Sequence, residues 1–342
     1  MAKHWVMARL SALGDALLTT GVMRFWAETR GMTFTVLTKS ALVPVFQNHP
    51  AVTDIIGLEP EDLAPVKLGE LAHRLSADHD GFLDLHANLR SRLMTLGWSG
   101  PVCRYPKFSL ERRFFLLSRG HIGGASLKTY CVTQRYALAL EKTPPPREEL
   151  LPCLCLTEDE RAAAALRLGR SRVDRDRPLV AFHPYATHVN KAWPAEYWKA
   201  LGAILSSQGV DWLVVGRDNR PVDGLVAEGD TRFGDGLDFT NATSLRETAA
   251  LLEQADLMVS GDSGPMHLAC AVKTPVVALF GPTTAEWGFF PQGPRDTVLE
   301  PSDCACRPCS LHGNHLCRRQ QACMRSITPQ RVAEQVLRTL GL

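Results

Sequence analysis

The 342-residue sequence contains no uninterrupted apolar run approaching the roughly 18 residues that a bilayer-spanning helix needs. Its apolar start is broken by Arg9 and Asp15, so no secretory leader is read there. A cytoplasmic location is the default expectation. Low-complexity tracts and short-period repeats are missing too, which argues against solenoid and linker-like architectures. The first strand-like segment is followed by Leu13-Gly14-Asp15-Ala16 and lacks the Gly-x-Gly-x-x-Gly fingerprint, which disfavours a dinucleotide oxidoreductase. No recognised nucleic-acid motif accompanies the positive charges, so no nucleic-acid partner is expected.

What is present is ordinary in total and uneven in distribution. A hydrophobic share of 45% and a charged share of 22% suit a globular enzyme, and the length suits two α/β domains better than one core. The net charge is only +2, yet between Arg90 and Lys128 eight basic residues face one acid, Glu111. That local surplus favours an anionic partner. Phe114, Phe115, Leu116 and Leu117 lie inside it, which fits contact with a membrane surface or a lipid-linked substrate. A solvated basic face is the plain alternative.

The periodicity predicts strands over His4–Leu10, Thr33–Lys39 and Gly81–Ala87, and a helix from Asp15 to Arg30 stopped by Gly31. Alternation of β and α argues for a parallel sheet covered on both faces. Thr143-Pro144-Pro145-Pro146-Arg147 reads as an interdomain linker, because three prolines remove donors and fix φ. Thr157 and Glu160 then form a capping-box spacing for a helix closed by Gly169. Further strands are expected over Leu179–Phe182, Asp211–Val215, Asp256–Ser260 and Val276–Phe280, with helices over Pro194–Ser207, from Ser244 to Gln254, and from Thr328 onwards. The expectation is two doubly wound Rossmann-like α/β domains facing a central cleft. An N-terminal domain spans 1–145, a C-terminal domain spans 155–325, and a terminal helix over 328–340 packs back on the N-terminal domain.

Three segments carry chemistry. Val259-Ser-Gly-Asp262-Ser263-Gly264-Pro265-Met266-His267 reads as a strand, an acidic turn and a helix start, followed by Pro275 to Thr283. Unpaired N–H groups and the helix dipole make such a turn a phosphate site without any basic residue in it. An ordinary turn with a structural Asp cap is the competing reading. His183 to Pro194 lies between a strand and a helix, so Lys191 projects toward the same crevice, with the Thr187 hydroxyl nearby. Asp15, after the first strand, is placed to take a proton from a hydroxyl, although an Asp in a first helical turn is favourable on its own account.

These residues resemble a family. Gly14-Asp15, Lys191-Ala-Trp193-Pro194, and Asp262-Ser-Gly-Pro-Met-His267 with Phe280-Gly-Pro-Thr283 look like the ADP-heptose:lipopolysaccharide heptosyltransferases, glycosyltransferase family 9 enzymes of the GT-B type. The resemblance covers nearly the whole chain, in the family's order and spacing. It implies an inverting single displacement that moves a heptose from an ADP-sugar donor to a lipid-linked, anionic lipopolysaccharide core. By resemblance Asp15 is the general base. Lys191 binds the donor phosphates with help from Thr187, and Asp262 contacts the donor sugar. Backbone over Ser263, Gly264, Pro265 and Met266 meets the diphosphate, with His267 close by. Arg90 and Arg92 are the acceptor-binding candidates. No catalytic cofactor is implied, and the enzyme is expected at the cytoplasmic surface of the inner membrane.

Ten cysteines in a cytoplasmic chain are expected to be thiols or metal ligands. Cys306, Cys309, Cys317 and Cys323, with Cys304 upstream and His312 and His315 between, offer four soft ligands for a structural zinc or an iron–sulfur cluster. Reduced thiols lining a loop are the alternative. Two other functions stay open: a sugar-nucleotide 2-epimerase of the same architecture, and a metal- or redox-responsive module centred on these cysteines.

Overall fold

The protein is described by a computed structural model, over residues 3–170, 176–218, 237–302, 304–314 and 317–342. These residues gather into two compact units. One holds Met1–Phe108 with Tyr130–Cys155, and the other holds Ser109–Thr129 with Leu156–Leu342.

The first unit is built on five strands, β1 (Lys3–Ala8), β2 (Met32–Lys39), β3 (Val52–Leu58), β4 (Gly81–Asp84) and β5 (Val102–Arg104). Their order is β3-β2-β1-β4-β5, and every pairing is parallel. The central strand is buried from Trp5 to Ala8, as a strand covered on both faces must be. Val6, Ala8, Leu37, Phe82 and Met94 form one core against it. The helix Leu13–Arg30 starts two residues earlier than the sequence suggests and ends, as expected, where Gly31 takes φ 61°.

The three-proline segment belongs to the body of this unit. Gln134 donates to the Pro145 carbonyl, and Leu150 in the turn Arg147–Leu150 is fully buried. The turn lies against Gly21 of the long helix, where a Cβ would stand 2.3 Å from the Leu151 carbonyl oxygen.

The second unit carries β6 (Leu179–His183), β7 (Asp211–Gly216), β8 (Asp238–Thr240), β9 (Leu257–Gly261), β10 (Val276–Leu279) and β11 (Thr297–Leu299). The order β11-β10-β9-β6-β7-β8 is again parallel throughout. Both capping boxes form: Thr157 with Glu160, and Ser244 with Glu247. The helix after Thr157 ends at Arg170, one residue past Gly169. The terminal helix Pro329–Leu340 packs within its own unit, against the helix Ala195–Ser207 and strands β9 and β10. Its apolar side, Val332, Ala333 and Val336, is used up there.

In each sheet the chain reverses direction beside its first strand. The reversal falls between β1 and β4 in one and between β6 and β9 in the other. Such switch points leave a crevice at the carboxyl ends of the strands, where ligands of α/β folds bind.

Candidate functional site

In the second unit, β6 ends at His183 beside Ser260 of β9, and Leu279 of β10 pairs with Gly261. The loops after these three strands therefore emerge side by side. Lys191 comes from the first, Asp262 from the second and Thr283 from the third. The Lys191 ammonium lies 2.6 Å from Asp262 Oδ2, and the Thr283 hydroxyl donates to the same oxygen at 2.8 Å. Both charged side chains are mostly shielded, at 15% and 13% exposure. An ammonium has three N–H donors, so this pair leaves donors for an incoming anion.

Below them the helix Gly264–Ala271 begins at Ser263, whose side chain makes no capping hydrogen bond. Its hydroxyl meets that of Ser260 at 3.1 Å instead. First-turn N–H groups with no side-chain cap, at the positive end of a helix, suit an anionic ligand. Met266 and His267 are buried, and the His267 ring packs edge-on to Phe289. Thr187 is exposed and lines an open depression that also includes Asn190 and Gly313. Arg217 donates to the Thr243 carbonyl, beyond β7.

The lysine loop is braced by the cysteine-rich loop. Asn190 Nδ2 donates to the Gly313 carbonyl at 2.9 Å, and a Cβ at Gly313 would stand 2.8 Å from Lys191 Cγ. Arg307, paired with Glu300, donates to the Thr283 carbonyl.

In the first unit Asp15 is held from two sides. Arg9 Nη2 lies 2.7 Å from its Oδ2, and the Tyr136 hydroxyl donates to Oδ1 at 2.5 Å. Arg9 also donates to the Leu85 carbonyl and stacks over the Tyr136 ring. Burial works against the Arg9 charge, but Asp15, Tyr136 and Tyr105 outweigh it and raise its pKa. Burial drives the Tyr136 hydroxyl well above the usual phenol range, so it stays a donor.

Next door, the buried Asp84 at the end of β4 accepts from the His86 and Ala87 amides, from the Ser91 hydroxyl and from Arg104. Those bonds shape the turn that carries His86. Burial, then the Arg9 and Lys107 charges, pull the His86 imidazole down to about 4, which keeps it neutral at pH 7. Among the described residues His86 Nδ1 and Arg9 Nε have no partner, leaving two polar atoms for a ligand. Arg90 and Arg92 are exposed on the adjoining short helix, Leu89–Met94.

Cys306, Cys309, Cys317 and Cys323, the expected four-thiol set, line one cavity of about 400 Å³. All ten cysteines are free, and among the described residues no group of three or more His, Cys, Asp or Glu could hold a metal ion. Cys306 Sγ lies 3.7 Å from Cys309 and 3.4 Å from Cys304. Cys317, however, accepts from the Gln321 amide, and Cys323 is buried under Gly281. Burial first, then the neighbouring Cys306 sulfur, pushes the Cys304 thiol up to about 11 and Cys309 up to about 12. Burial first, then the nearby Cys306 and Cys317 sulfurs, raises the Cys323 thiol pKa as well. His315 lies outside the described residues.

Residues 68–316 match the sequence model of glycosyltransferase family 9 (heptosyltransferase). The chain belongs to that family. A family 9 relative, the lipooligosaccharide heptosyltransferase 2 of Haemophilus influenzae, is 29% identical over 202 residues, 56% of this chain and 55% of its own. The match thus spans about half the length of that curated relative. The structure of Escherichia coli ADP-heptose lipopolysaccharide heptosyltransferase II superposes with TM-score 0.73 at 22% identity, over 99% of this chain and 98% of that one. The iron-containing dodecameric glycosyltransferase TibC of enterotoxigenic E. coli H10407 superposes with TM-score 0.59 at 17% identity, over 99% and 79%. Two parallel sheets in this order are thus the GT-B fold of the heptosyltransferases.

Sequence reasoning missed Arg9, Tyr136 and His86 as members of the Asp15 cluster, and Thr283 as the third member of the Lys191–Asp262 cluster. One signal was available for Arg9. A charge directly after a continuous apolar strand is buried, and a buried charge needs a partner.

Proposed function

We propose that this family 9 chain is an inverting glycosyltransferase that moves a heptose from ADP-heptose to a lipid-linked, anionic lipopolysaccharide core saccharide. The observation that carries the reading is Lys191, Asp262 and Thr283 meeting above an uncapped helix start at the switch point of the second sheet. The family membership supports the sugar chemistry, and names such as that of the E. coli ADP-heptose enzyme support the donor.

In this reading the donor diphosphate lies across Lys191 and the backbone from Ser263 to Met266, where Ser263, Gly264 and Met266 offer N–H groups and Pro265 none, with Thr187 and His267 as lesser contributors. Asp262 turns from its lysine to the donor sugar hydroxyls. The acceptor hydroxyl gives its proton to Asp15 as its oxygen attacks the anomeric carbon from the face opposite the diphosphate. The bond from that carbon to the diphosphate oxygen breaks, the configuration inverts, and ADP leaves. Charge growing on the leaving phosphate is met by the ammonium and the helix start, without reorganisation at the moment of transfer. Arg9 and Tyr136 keep Asp15 oriented, while Arg90, Arg92 and the free nitrogen of His86 receive anionic and hydroxyl groups of the acceptor. The enzyme works against the inner membrane surface, where such an acceptor resides.

Calorimetric titration with ADP, UDP and GDP tests the donor half. ADP binds selectively, and Lys191→Ala weakens it about ten- to a hundred-fold, the worth of a charge-assisted hydrogen bond. A preference for UDP or GDP sinks the heptose assignment, and indifference to Lys191→Ala sinks the site.

A further inference from the structure

The segment Ser109–Thr129 belongs to the second unit and has two apolar sides, only one of which is used. On the helix Ser109–Leu117, Phe115 is buried and meets the Trp287 ring edge-on at 5.6 Å. Arg112 stacks on that same Trp287, and the acid Glu111 accepts from Ser126 at 3.0 Å. These contacts attach the helix to its unit.

The opposite face carries Leu110, Phe114 and Leu117, spaced i, i+4 and i+7, so they stand in one row along the helix. They are 68%, 57% and 80% exposed, and Ile122 in the returning turn is 68% exposed. Ile122 is pinned beside the row, because its amide donates to the Ser118 hydroxyl at 2.8 Å. Arg113 and Arg119, within and just beyond the same helix, are exposed. Glu111, the one acid between 109 and 129, is tied to Ser126. Leu117 and Arg119 continue into a cavity of about 400 Å³ shared with Pro308, Arg318 and Arg319, and both of those arginines are exposed. The same pattern recurs in the first unit, where Leu89, Leu93 and Leu96 are exposed at identical spacing beside Arg90 and Arg92.

We infer that the row Leu110, Phe114, Leu117 and Ile122, with Arg113 and Arg119, is a docking face for the surface of an anionic lipid bilayer. A water-facing row of large apolar side chains is costly unless something covers it, and here the flanking charges are of one sign. Apolar side chains at the acyl boundary with arginines at headgroup level match the chemistry of an anionic leaflet. An acidic protein would complement the charges as well, but would not by itself call for four large exposed apolar side chains. The inference rests on the proposed lipid-linked acceptor and adds the residues that bring the enzyme to it.

Flotation with vesicles of phosphatidylethanolamine and phosphatidylglycerol, and separately with pure phosphatidylcholine, is the test. Wild-type protein is expected to float with the anionic vesicles, less so at high salt, and not with phosphatidylcholine. The L110S/F114S/L117S triple variant and the R113E/R119E double variant should each bind the anionic vesicles about ten-fold more weakly or worse. Both should keep wild-type ADP affinity, which reports that the fold is intact. Three results overturn the inference: no wild-type flotation, unchanged flotation of both variants, or wild-type dimers that the triple variant dissolves. Wild-type protein that binds ADP but not vesicles defeats only this inference. Protein that floats but does not bind ADP defeats the donor reading instead.

Discussion

At the residue scale, Lys191 is defined by its neighbours as much as by its charge. Its stem rests on Gly313, which sits at φ 78°. Gly313→Ala would add strain of about 1–2 kcal/mol from the left-handed backbone and press on Lys191 Cγ. ADP affinity measured by calorimetry should fall several-fold, although residue 313 is not itself a proposed ligand contact. Asp15 makes a sharper test. Asp15→Asn retains the shape and a hydrogen-bonding oxygen but removes the base. Turnover with an ADP-heptose donor should drop about 10²–10⁴-fold while ADP affinity stays unchanged. An equal loss in both measurements would mark Asp15 as structural.

At the element scale, the helix Leu13–Arg30 carries Asp15 near its start and presses its middle against the 150–151 backbone. Gly21 is the point of closest approach, and its obstacles are carbonyl oxygens that cannot rotate away. Gly21→Ala should therefore cost about 1–3 kcal/mol, seen as a lowered thermal midpoint, with part of the loss reaching Asp15. A midpoint equal to wild type would mean that the helix and turn separate easily. The local signals for most elements were readable in advance. Gly31, Thr157 with Glu160, and Ser244 with Glu247 act through hydrogen bonds within four residues, so their sequence spacing contains the whole interaction. The helix expected to close at Gly169 ends one residue beyond it, at Arg170.

At the scale of the whole molecule, buried imidazoles set the acid response. Burial lowers the pKa of His183, the last residue of β6, to about 4, as it does for His86. In the unfolded chain an imidazole titrates near 6.5. Between these values the unfolded state binds more protons, so folding stability falls as pH drops from about 6.5 to about 4. For the fully buried His183 the loss amounts to about 3 kcal/mol across that window. Urea midpoints at pH 7.5 and pH 5 should differ in that direction, and His183→Asn should shrink the difference. A midpoint independent of pH would show that His183 is solvated.

By itself the sequence determined two parallel α/β layers, the turns at the strand ends, and the residue types proposed to meet a diphosphate. These arise from periodicity, caps and prolines, which act over a few positions. Only the tertiary structure decided which turns became neighbours. Strand order placed Thr283 beside Asp262 and put Arg9 next to the turn that carries His86. It also assigned Ser109–Thr129 to the second unit, brought Cys306, Cys309, Cys317 and Cys323 to one cavity, and used up the apolar face of the last helix. Each of these depends on contacts between residues tens to hundreds of positions apart. Such contacts are selected by competition for one buried core, and no local spacing records the outcome.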